Sequence, residues 1–129
     1  MGIAVDSSVL IRYFIQDGEH LAQKSVELIE NAEPGSLVLD RIILAEIGYV
    51  LRSSYGFRKN QLCIIYNWLL GNPLFTVTDR ELTELTISLL QSEKPLSFED
   101  CWLLALKKAG RVTDIATFDA SLKKRTQAF

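Results

Sequence analysis

One histidine, two cysteines and seven scattered glycines remove much of the common catalytic repertoire from this 129-residue chain. His20 would have to serve any Ser-His-Asp or Cys-His relay alone, from a polar loop or helix start. Neither Cys63 nor Cys101 has a neighbouring base or a zinc-type spacing. Both lie in apolar helical patterns, which predicts reduced, buried thiols and fits a cytoplasmic protein. The isolated glycines form no phosphate-cradling loop. A net charge of −2 creates no global basic field, so a nucleic-acid partner would be held by local lysines and arginines or through metal ions. The longest apolar runs, Ile42 to Ala45 and Trp102 to Leu106, fall far short of the roughly 20 residues of a membrane span. No basic segment followed by an apolar stretch opens the chain, so no secretory leader is expected. Hydrophobic residues at 48% and charged residues at 23% are globular values, and one domain over residues 1–129 is expected.

The apolar pattern predicts strands alternating with helices. Gly2 to Val5 reads as a short buried strand ending at Asp6, and Val9 to Ile15 as a helix broken at Asp17-Gly18. A second helix carries Leu21, Val26, Leu28 and Ile29 and ends at Glu33-Pro34-Gly35-Ser36. Leu37 to Leu39 is a strand. In the helix from Arg41 to Tyr55, Ile43, Ile47, Val50 and Leu51 share one face, and Gly56 ends it. Leu62, Ile65, Trp68 and Leu69 mark a further helix, closed by Gly71-Asn72-Pro73. Leu74 to Val77 reads as a third strand, Glu81 to Leu90 as a helix, and Ser97 to Ala109 as a helix with Gly110 at its end. Arg111 to Thr117 is expected to contain a fourth strand, before a short helix from about Ala120. This alternation predicts an α/β fold around a parallel sheet.

Four acids fall at junctions or against the apolar pattern: Asp6, Glu46, Asp100 and Asp119. Asp6 ends a strand and begins a helix. It can cap that helix or line a ligand site beyond the carboxyl ends of the strands. Asp119, in Ala116-Thr117-Phe118-Asp119, repeats the arrangement and the same two readings. Ser97-Phe98-Glu99-Asp100 looks like a capping box, although Asp is shorter than the usual Glu. Glu99 is expected to face solvent. Glu46 lies three residues after Ile43 and four before Val50, which places it within the apolar stripe. There it would meet either a buried arginine or a metal. Asp17, Asp40 and Asp79 read as turn or helix-start residues, and Asp114 as part of the final strand or its flank. The basic clusters Arg58-Lys59 and Lys107-Lys108 read as solvated faces. Lys123-Lys124-Arg125 follows Asp119 and could contact a polyanion.

Taken in order, Val5-Asp6-Ser7-Ser8-Val9-Leu10, Leu44-Ala45-Glu46-Ile47, Ser97-Phe98-Glu99-Asp100 with Leu104-Ala105-Leu106, and Thr117-Phe118-Asp119 resemble a PIN-domain nuclease over nearly the whole chain. The resemblance implies a three-layer α/β/α sandwich with a mainly parallel sheet of four to five strands. It also implies an acidic pocket for Mg²⁺ or Mn²⁺ and an RNA substrate. A free-standing domain of this length is most similar to VapC-type toxins, which implies a homodimer restrained by a cognate antitoxin. Where the family often has Asn two positions after the first Asp, this chain has Ser8. It ends ten residues after Asp119, so a final edge strand is expected to be short or missing.

Oxygen donors suit Mg²⁺ or Mn²⁺ rather than zinc. On this reading Asp6 and Asp100 are the principal ligands, and Asp119 completes the cluster directly or through water. Glu46 holds a second ion or orients the attacking water. Ser7, Ser8 and Thr117 would orient the ligands, and attack by water would leave a 5′-phosphate and a 3′-hydroxyl. A haloacid-dehalogenase-like phosphatase would need a second acid where Ser8 stands. A non-catalytic module, receiver-like or a degenerate PIN scaffold that binds RNA, remains the other alternative. Tyr49, Tyr55, Phe57, Tyr66 and Trp68 suggest that the helix pair from Arg41 to Leu70 forms an antitoxin groove. The homodimer contact is expected from other helices, including Glu81 to Leu90.

Overall fold

A computed structural model describes residues 2–16, 18, 20–92 and 96–129. The helix break predicted at Asp17 lies outside them. The chain divides into two compact units, residues 1–78 and 79–129.

The first unit holds the sheet. Strands β1 (Ile3–Ala4), β2 (Leu37–Leu39) and β3 (Phe75–Val77) pair in the order β1-β2-β3, all parallel. β2 is central, and its Leu37 and Leu39 are almost wholly buried, as a strand with two neighbours should be. Each strand feeds a helix or receives one: α1 (Ser7–Phe14), α2 (His20–Glu30), α3 (Arg41–Tyr55) and α4 (Lys59–Gly71). Helix α1 packs on both α2 and α3. Helix α3 ends at Gly56, whose φ of 67° lets its N–H and that of Phe57 reach back to the carbonyls of the last turn.

The second unit comprises α5 (Arg80–Ser92), α6 (Phe98–Lys108) and α7 (Ala120–Thr126). Helices α5 and α6 pack together, and their buried positions include Leu82, Ile87, Leu90, Cys101 and Leu104. Both cysteines are buried and unbridged, and burial pushes the Cys63 thiol up, away from a reactive thiolate.

Several expectations need correction, beginning with β1, read as a buried strand, whose Ile3 and Ala4 are both exposed on an edge of the sheet. The described residues carry three strands, not four to five, and 111–119 contains no strand. That segment is pinned by side chains instead. Arg111 grips Asp79 with two bonds of 2.7 and 2.9 Å, and Lys107 Nζ donates to Asp114 and to the Thr126 carbonyl. Lys107 is therefore a largely buried clamp between α6, the loop and α7, not part of a solvated face. A further correction concerns Tyr66. It is a core residue at 1% exposure, and its hydroxyl donates to the Leu44 carbonyl at 2.7 Å.

Asp40 caps α3 through the Ile42 N–H and also accepts from the Thr78 hydroxyl at 2.7 Å. The Thr78 hydroxyl and then the Ile42 amide hold its carboxyl below the ordinary value of 3.8. A depressed folded-state value adds stability that is complete above the unfolded value and is lost as pH falls through the folded one. The advantage of wild type over Asp40→Asn should therefore be full near neutrality and shrink below pH 3.8. Urea titrations at several pH values check this, and a gap that stays constant from neutral to acid would refute it.

Candidate metal and active site

Asp6 stands at the N-cap of α1, in extended backbone after β1. Its Oδ2 accepts from the Ser8 amide at 3.3 Å and the Ser8 hydroxyl at 2.6 Å. The Ser8 hydroxyl, followed by its amide, holds the Asp6 carboxyl below its ordinary value, so Asp6 is a carboxylate at neutral pH. The capping reading is correct, and both Ser8 bonds fall on Oδ2. The Ser7 amide adds a weaker pull that also lowers the Asp6 value, and the residue as a whole is exposed. Ser8 thus holds the Asp6 carboxylate through both its amide and its hydroxyl. Ser7 is buried beside it in the chain.

Glu46 is exposed, and it is not within a buried stripe. The buried face of α3 is Leu44, Ile47, Gly48 and Leu51, while Ile43 and Val50 are only half-buried. Glu46 follows Leu44 by two residues and so lies about 200° around the helix from it. Neither a buried arginine nor an internal metal is needed to accommodate it. Its carboxylate makes no hydrogen bond or ion pair among the described residues.

Asp100 lies in the first turn of α6, where its amide donates to the Ser97 hydroxyl at 3.2 Å. Ser97 caps the helix, but the reciprocal bond of a capping box is missing among the described residues. The short Asp side chain is left with both oxygens unengaged, in the favourable field of the helix start. Glu99 is exposed, as expected.

Asp119 caps α7 through Oδ1, which accepts from the Leu122 amide at 2.8 Å, while its own amide donates to Thr117 Oγ1 at 3.0 Å. Its second oxygen has no protein partner among the described residues. Helices α6 and α7 pack together, so Asp100 and Asp119 ride on neighbouring helices of one unit, as Asp6 and Glu46 do on α1 and α3 of the other. Lys123 and Lys124 are exposed on α7, and Arg125 is half-buried.

Asp40 also follows a strand and caps a helix, but its two oxygens are both engaged, by Ile42 and Thr78. It is a clasp between the ends of β2 and β3 rather than an open donor. Its only sequence signal is the strand–Asp–helix order it shares with Asp6.

Among the described residues, no three His, Cys, Asp or Glu side chains form a group able to hold a metal ion. The donors themselves fit a hard dication: all are carboxylates, Asp6 is exposed, and Glu46, Asp100 and Asp119 each keep an oxygen without a protein partner among the described residues. No helix among the described residues is long and apolar enough to cross a membrane.

The family model described as PIN domain matches residues 3–127, and the chain belongs to that family. PIN domains are generally metal-dependent nucleases acting on RNA, and VapC-type toxin ribonucleases are among them. No curated protein and no solved structure matches the chain.

Proposed function

We propose that this protein is a divalent-metal-dependent endoribonuclease and the toxin of a toxin–antitoxin pair. The observation that carries the reading is an exposed Asp6 carboxylate together with carboxylate oxygens left without a protein partner among the described residues at Glu46, Asp100 and Asp119, on a chain of the PIN family. Asp6 and Asp100 serve as principal ligands of Mg²⁺ or Mn²⁺, and Asp119 completes the set. Glu46 holds a second ion or orients the water that attacks phosphorus. Ser8 and Thr117 keep Asp6 and Asp119 in position through the bonds already described. Lys123, Lys124 and Arg125 offer cations to the phosphates of the substrate. The bound dication supplies Lewis acidity toward water and charge neutralisation at the phosphoryl oxygens.

A cognate antitoxin would restrain the enzyme, and a homodimer is the expected assembly. Tyr49 and Tyr55 remain exposed on α3 and Ile64 and Trp68 on α4, available for such a contact. Trp68 is partly engaged already, stacking on Tyr13 with ring centroids 5.6 Å apart.

The test incubates the full chain with single-stranded RNA and Mg²⁺, with and without EDTA. Internal cleavage that EDTA abolishes and that leaves 5′-phosphate ends is the expected result. Co-expression with the protein of the adjacent reading frame should suppress it. Hydrolysis of small phosphoesters without RNA cleavage would favour the phosphatase instead. Metal binding without turnover would leave a non-catalytic RNA-binding module.

A further inference from the structure

Phe118 is fully exposed, at 108% of its reference surface, next to Asp119. A large apolar residue directly before a helix cap ordinarily folds back onto the fourth residue of that helix, a local staple. In α7 that fourth residue is Lys123, which is itself exposed, so the staple has no apolar partner. The backbone around the phenyl ring is nevertheless held: the Asp119 amide is bonded to Thr117 Oγ1 on one side, and the Asp119 carboxylate to the Leu122 amide on the other. The ring is therefore presented to solvent from a fixed backbone, adjacent in the chain to a candidate metal ligand. Lys123 and Lys124 follow on the same short helix, both exposed and without an ion pair among the described residues.

An exposed aromatic face beside cations suits single-stranded nucleic acid. Every base has a π-face, the backbone phosphates seek lysines, and stacking of this kind is worth about 1–3 kcal/mol per base on alanine substitution. A ring that protrudes this far can be covered on both faces only by something outside its own segment. We propose that Phe118 is a substrate-binding residue that stacks on an unpaired base of the RNA, next to the phosphate served by Asp119. The proposal rests on the nuclease reading above and adds the contact that would select single-stranded over double-stranded substrate.

Binding of a fluorescent single-stranded RNA is measured by anisotropy with Ca²⁺ in place of Mg²⁺, for wild type, Phe118→Ala, Phe118→Leu and Phe118→Trp. The alanine variant should bind about 5- to 150-fold more weakly, by conversion of the stacking energy. Phe118→Trp should restore binding and Phe118→Leu should not, with melting temperatures unchanged because the side chain packs on nothing. A single abasic nucleotide, moved along the RNA, should weaken wild type at one position while leaving Phe118→Ala unaffected there. Equal affinity of wild type and Phe118→Ala overturns the proposal, and normal cleavage by the same variant would then leave the nuclease reading standing. RNA binding that depends on Phe118 without any hydrolysis would do the reverse. A change of oligomeric state in Phe118→Ala with RNA affinity intact also overturns it, assigning the ring to a second copy of the chain.

Discussion

Asp100→Asn is expected to lower RNA cleavage by at least about 10²–10³-fold, the scale of losing one electrostatic stabiliser, while the melting temperature scarcely moves. The two halves of this expectation have separate causes. The start of α6 is capped by the Ser97 hydroxyl accepting from the Asp100 amide, and the substitution leaves both groups in place. The carboxylate itself makes no protein hydrogen bond among the described residues, so only its interaction with the helix field is lost, about 0.3–1 kcal/mol. Asp119 offers an internal contrast, because one of its oxygens caps α7. Asp119→Asn keeps an acceptor for the Leu122 amide and should lose activity with little loss of stability. Asp119→Ala should lose activity and, in addition, about 1 kcal/mol of stability. Cleavage rates and thermal melts of the three variants, set beside wild type, decide the matter. Full activity in Asp100→Asn would remove that residue from the metal site, whatever its stability.

How much of this was legible in the sequence depended on the range of the interactions concerned. Local grammar read well. Asp6, Ser97 and Asp119 were recognised as possible caps, and the span of α3 from Arg41 to Tyr55 was read to the residue, because a capping Asp and a terminating Gly56 bracket it. The face of α3 was misread. Ile43 and Val50 were counted with Ile47 and Leu51, but the buried stripe runs through Leu44 and Gly48, and a glycine carries no hydrophobic signal. The argument that Glu46 is conspicuous on an apolar face therefore fails, although its place among the motifs of the family does not depend on it. The expected fourth strand within Arg111 to Thr117 does not form. The segment's conformation is set instead by side-chain pairings: Arg111 reaches back to Asp79, Lys107 reaches Asp114 across the helix end, and the Ile115 amide caps Asp114 locally. Those pairings join residues up to 32 positions apart, and neither periodicity nor propensity encodes them. Asp114, doubtful as a site residue on sequence grounds, is an anchor of this loop.

The contact between Gly48 and Tyr66 gives the second large expected effect, a reversal of sign. Alanine is favoured over glycine inside a helix by about 1 kcal/mol, so at an unobstructed position of α3 the substitution would stabilise. At Gly48 a Cβ would collide with the Tyr66 hydroxyl. That oxygen is the far end of a side chain, but it cannot swing away freely: Tyr66 is 1% exposed and its hydroxyl is bonded to Leu44. Making room means displacing a packed ring, which costs about 1–3 kcal/mol, and giving up a buried hydrogen bond, worth about 1 kcal/mol. Gly48→Ala should therefore destabilise by about 1–3 kcal/mol after the helical gain is subtracted. Tyr66→Phe removes the obstructing oxygen at the cost of that one bond. The next ring atom, Cζ, stands 3.5 Å from the would-be Cβ, an ordinary contact distance. In the Tyr66→Phe background, Gly48→Ala should then be neutral or stabilising, by up to about 1 kcal/mol. Urea unfolding of the two single variants and the double variant measures the coupling, which should be positive and of the size of the collision. The same sign for Gly48→Ala in both backgrounds would show that the hydroxyl is not what keeps this position a glycine.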